Sequence, residues 1–96
     1  MDYLIIYSQR ALKDLTGIIG HIAEEDGQAA SSFGTALLDH VDLLGRFPKM
    51  GSVVRKRSPV RKLVHSPFVV YYRLKERRRI VEILHVRHGA RRKPRL

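Results

Sequence analysis

The chain has 96 residues, 44% of them hydrophobic and none of them cysteine, and its net charge is +10. That length suits one domain with a modest core, and the missing cysteines exclude disulfides and thiolate metal sites. No apolar stretch nears the ~20 residues that span a bilayer, and the opening residues lack a signal-peptide pattern, so a cytoplasmic protein with no membrane partner is expected.

Tyr3–Tyr7 is a short β-rich run that ends at Ser8, a good helix N-cap. From there Leu12, Leu15, Ile18, Ile19, Ile22 and Ala23 recur at helical steps, with Lys13, Asp14 and Glu24 toward water. Asp26-Gly27 marks a turn, and a second stripe follows through Ala30, Phe33, Leu37, His40, Val41 and Leu44. Pro48 predicts that this helix stops by Gly45 to Phe47. Lys49 to Pro59 reads as a loop with a short strand at Val53-Val54. Val60–Val64, Phe68–Leu74 and Arg79–Val86 then read as three strands of an antiparallel meander, split by His65-Ser66-Pro67 and by Lys75 to Arg78. Neither Tyr71-Tyr72 nor Ile83-Leu84 alternates cleanly, which suggests strands covered in part on both faces. The expected fold is α+β, in the order β-α-α-β-β-β, with a helical hairpin packed on a small, mainly antiparallel sheet. One domain spans residues 1–96, and 91–96 forms a basic, frayed tail.

Charge divides the chain unevenly. Residues 1–50 hold four basic and seven acidic side chains, whereas 51–96 hold fifteen basic and two acidic. Such asymmetry concentrates positive potential on one region and predicts a polyanionic or acidic partner, with the cationic C-terminal sheet as a continuous docking wall.

Several strings, in this order and spacing, resemble the RelE/ParE superfamily of toxins from type II toxin–antitoxin modules. They are Tyr7-Ser8-Gln9-Arg10-Ala11 through Leu15, Leu43 to Gly51 around Phe47-Pro48, Val60-Arg61-Lys62-Leu63, Val69 to Arg73, and Ile83 to Arg91. The closing His88-Gly89-Ala90-Arg91 is most similar to the ParE branch. The resemblance implies a βααβββ toxin neutralised by a cognate acidic antitoxin in a hetero-oligomer. For the ParE branch it implies growth inhibition by binding DNA gyrase; for the RelE branch, mRNA cleavage on the ribosome. A non-toxic nucleic-acid-binding module is the third reading, and positive charge supports all three alike.

The candidate contacts to target or antitoxin are Arg61, Lys62, Arg73, Arg87, His88 and Arg91. A nuclease would pair His88 as proton carrier with Arg61, Lys62 and Arg73 as phosphate-binding cations. Against that, the resemblance places Val69 and Gly89 where active nucleases carry an arginine and a tyrosine. His85 and His88, three apart on a strand, point to opposite faces, so no metal is expected, and no cofactor either. His40 reads as a packed, hydrogen-bonded histidine. Tyr71 and Tyr72 should face opposite sides of their strand, one toward the helices.

Overall fold

The computed structural model describes residues 2–89. The expected tail and Arg91 lie outside the described residues. Strand β1 (Leu4–Tyr7) leads into helices α1 (Gln9–Glu25) and α2 (Gly27–Asp42), and a 3-10 turn at Leu43–Gly45 closes the helical part. Strands β2 (Ser52–Val53), β3 (Val60–His65), β4 (Phe68–Lys75) and β5 (Ile80–His88) follow. The sheet order is β1-β5-β4-β3-β2, antiparallel throughout except that β1 runs parallel to β5. This is the α+β architecture anticipated above, with both helices on one face of the sheet and β2 one residue earlier than expected.

Ser8 starts α1 by accepting the Ala11 N–H at 3.0 Å, and its hydroxyl donates to the Leu84 carbonyl at 3.0 Å. One side chain therefore caps the helix and fastens it to the middle of β5. The two helices are separated by a single residue. Asp26 ends α1 and begins α2, its carboxylate accepting from the Gln28 and Ala29 N–H groups at 3.0 and 3.1 Å.

The inward stripe of α1 keeps Leu15, Ile18, Ile19 and Ile22 from the expected set, gains Ala11, and loses Leu12 and Ala23 to solvent. Ala11 and Leu15 are buried, whereas Leu12 is 51% exposed. The reason is close approach, because Ser8 draws the first turn onto β5 and a small side chain fits beneath it. Asp14, expected in water, lies on this stripe and is half-buried. On α2, Ala30, Gly34, Leu37 and Val41 are buried, continued by Leu44. Against these helices the sheet packs Leu63, Val70, Tyr72, Leu74, Val81, Ile83 and Val86.

The imperfect alternation in β5 has a different cause from the expected two-sided cover. Tyr71 pairs with His85 but Tyr72 pairs with Ile83, so Leu84 is an extra residue and forms a β-bulge. The bulge keeps Ile83 and Val86 both inward and sets His85 opposite Tyr71 at the margin of β5 beyond β1, where its ring also reaches α1.

Tyr72 is fully buried, yet its hydroxyl is satisfied at both ends. It donates to the Pro48 carbonyl at 2.7 Å and accepts the Gly51 N–H at 3.0 Å. Burial pushes this phenol's pKa up, against the lowering effects of the Gly51 bond and of Arg61. Gly51 is required by space, since a Cβ there would lie 2.5 Å from the Lys62 carbonyl and 2.8 Å from the tyrosine ring.

Candidate functional site

The strand registers sort the expected contact residues onto different surfaces. On the sheet face opposite the helices, Lys62 sits across from Tyr71, Arg73 across from Glu82, and Arg87 across from Val69. These three cations share one surface. Arg87 also leans on Tyr71, donating to its hydroxyl at 3.2 Å with the guanidinium 5.6 Å from the ring centroid. On the other flank of Tyr71 the His85 ring stacks at 5.9 Å and 16°. Tyr71 is thereby held between a cation and an imidazole, in a row that Lys62 completes.

This face is cationic and apolar together. Leu4 is 63% exposed, Ile6 42% and Val64 55%. Glu82 is its acidic member and already pairs with Lys75 at 3.4 Å. Lys62, Arg73 and Arg87 have no ion pair among the described residues, so their field is directed at solvent.

Two expected residues leave this surface. Arg61 lies opposite Tyr72, on the helix-side face, and its guanidinium donates to the Gly51 carbonyl at 2.7 Å and to the Lys49 carbonyl at 3.3 Å. Its charge holds the loop before β2. His88 lies opposite Phe68 with ring centroids 5.2 Å apart, on the helix side of the sheet. The wall expected from the sequence is therefore divided. Lys62, Arg73 and Arg87 converge, Arg61 anchors a loop, and His88 lines a groove beside α1. The set of His88, Arg61, Lys62 and Arg73 does not meet around one point.

That groove, of about 770 Å³, runs between α1 and the C-terminal half of β5, beyond the end of β1. At its centre the His85 Nδ1–H donates to Asp14 Oδ2 at 2.6 Å, and the Val86 N–H donates to the same oxygen at 3.0 Å. His85 Nε2 lies 3.5 Å from the Arg10 guanidinium. The Asp14–His85 contact joins α1 to β5 across 71 residues, and sequence reasoning missed it. A signal was present, because a carboxylate three residues after a buried alanine falls on the inward stripe and needs a partner.

A further pair lies in the same row across the sheet, where His65, Phe68 and His88 stand side by side on β3, β4 and β5. His40 on α2 and His65 on β3 approach Nδ1 to Nδ1 at 2.9 Å, beside Phe33 and Phe68. One ring must donate and the other accept. Burial, and secondarily His40, lower the His65 pKa. His40 is thus packed and hydrogen-bonded, as its place on the α2 stripe suggested. Among the described residues, no three side chains of the histidine, aspartate or glutamate type gather as a metal site, and no helix is long and apolar enough to cross a membrane.

The fold has clear counterparts among toxins of known structure. The chromosomal ParDE toxin–antitoxin system of Pseudomonas aeruginosa aligns with a TM-score of 0.75 at 20% identity, over 90% of this chain and 95% of that one. The RelBE2 complex of Mycobacterium tuberculosis gives 0.64 at 18% identity, over 92% and 99%. The intact RelBE complex of Escherichia coli gives 0.57 at 19% identity, over 94% and 99%. These likenesses define a RelE/ParE-type toxin fold. The sequence narrows the class: residues 5–93 match the family described as the ParE toxin of the type II toxin–antitoxin system parDE, and the chain belongs to that family. No curated protein matches the sequence.

Proposed function

We propose that this ParE-type toxin inhibits growth in the cytoplasm by docking its open sheet face onto a nucleic-acid-handling enzyme, DNA gyrase first, and that a cognate acidic antitoxin neutralises it. The observation that carries this reading is the convergence of Lys62, Arg73 and Arg87 around Tyr71 on a surface that also exposes Leu4, Ile6 and Val64. Cations among apolar side chains suit an amphipathic protein surface, with steering by charge and affinity from buried apolar area. The residues expected to carry RNA cleavage are dispersed, which favours docking over chemistry. Inhibition then follows from tighter binding to one state of the target, such as its DNA-cleaved intermediate. The solved relatives that are complexes with an antitoxin support the same kind of partner here.

Induced expression without antitoxin should arrest growth, break DNA and accumulate cleaved gyrase–DNA complexes. Lys62→Glu combined with Arg73→Glu should abolish this while the protein stays folded. Transcripts cut during translation, with intact gyrase turnover, would replace this reading by ribosome-dependent cleavage. Harmless expression would leave the nucleic-acid-binding module. A cognate antitoxin at about 100 times its Kd should stabilise the toxin by about 2.7 kcal/mol.

A further inference from the structure

We infer that the groove between α1 and the end of β5 is a binding site for the phosphodiester backbone of single-stranded nucleic acid, adjoining the open sheet face and sharing Arg87 and His85 with it. Arg10, Lys13 and Arg87 bring permanent positive charge to its walls, and His85 and His88 add imidazole nitrogens. Its carboxylate, Asp14, is already occupied by the His85 ring and the Val86 N–H. The groove therefore offers donors in excess of acceptors, which suits an anion.

Its floor is apolar. Ile18, Ile22, Phe68 and Val86 lie beneath the cations, with Phe68 set edge-on to His88. A charged rim over an apolar and aromatic floor fits a strand whose phosphates take the rim while an unstacked base takes the floor. A duplex keeps its bases paired and offers no such face.

Gly17 provides an independent observation. It sits in the middle of α1, where glycine is less favourable than alanine by about 1 kcal/mol. A Cβ at this position would meet nothing within 4 Å, so packing within the protein does not demand glycine. Gly17 lines the groove, and its missing side chain leaves α1 open to close approach by an occupant.

Fluorescence anisotropy with a labelled single-stranded oligonucleotide of about 10 nucleotides tests this, in DNA and RNA versions, over a series of salt concentrations. Arg10→Ala with Lys13→Ala should weaken binding about tenfold or more and make the salt slope shallower by one to two units. Gly17→Leu should lose binding while the melting temperature holds or rises, which separates a blocked groove from a damaged fold. Arg55→Ala, on the distant loop before β3, should change little. Preference for DNA or for RNA supports the site and identifies its source. Unchanged affinity in the Arg10–Lys13 and Gly17 variants would overturn the inference, as would displacement of the oligonucleotide by a glutamate-rich peptide at lower concentration. The inference does not depend on gyrase: an inert protein that binds oligonucleotide here retains it, and a gyrase poison that does not bind loses it.

Discussion

Tyr72→Phe isolates the hydroxyl that holds the Pro48–Gly51 loop to the sheet. The ring remains, so no large cavity forms, and what changes is one oxygen with two partners, the Pro48 carbonyl at 2.7 Å and the Gly51 N–H at 3.0 Å. Gly51 is buried, so its N–H is left without a partner and bears a desolvation penalty of about 1–3 kcal/mol. Pro48 is half-exposed, so water can replace part of its lost bond. The expected loss is about 2–3 kcal/mol, which for a chain of this size lowers the melting temperature by roughly 10–20 °C. Thermal melts and urea titrations followed by circular dichroism measure it, with the urea slope unchanged. Gly51→Ala should destabilise further, and Tyr72→Phe should not rescue it, because the 2.5 Å clash is with the Lys62 backbone. A loss below about 0.5 kcal/mol for Tyr72→Phe would refute the reasoning, since that is the scale of an ordinary surface change.

Arg61→Ala removes a charged donor from the Gly51 and Lys49 carbonyls and should lose about 1–2 kcal/mol, whereas Lys62→Ala should stay within about 0.5 kcal/mol; equal effects in urea titrations would contradict their separate placement. For His65, the folded pKa lies below the ordinary 6.5, so between those two values the unfolded chain binds more protons and stability rises with pH. Acidification through that window should therefore lower the melting temperature, and His65→Gln should flatten the dependence; an unaltered slope would exclude the pair as its source. Asp26→Ala removes the cap of α2 at the joint between the helices and should lose about 1 kcal/mol, measured by thermal melting.

Much of the fold was legible because local chemistry and final packing agree. Ser8, Asp26 and Pro48 punctuate the helices, and Val, Ile, Tyr and Phe density marks the strands. What escaped were the contacts that join distant segments. Leu84 looks like any strand residue, and its bulge exists only relative to the register of β4, so the facing of His85 could not be read from alternation. Arg61 and Lys62 are adjacent cations in sequence. The period of two sends one to the loop carbonyls and the other to the open face, and nothing in the string says which. Asp14 was readable in principle, but apolar Leu12 and Ala23, which prove exposed, drew the expected stripe away from it. The site was therefore legible as a charge excess and illegible as a geometry.

The last of the described strands, β5, is inserted between β1 and β4 rather than added at a margin. Until it emerges, Val81, Ile83 and Val86 are missing from the interior, and β1 has no neighbour to pair with. A nascent chain at that stage cannot assemble either the Tyr71–Arg87 surface or the Asp14–His85 contact. The surface and the contact therefore arise together, in the single step that docks β5, and a chain cut short before that strand would present neither.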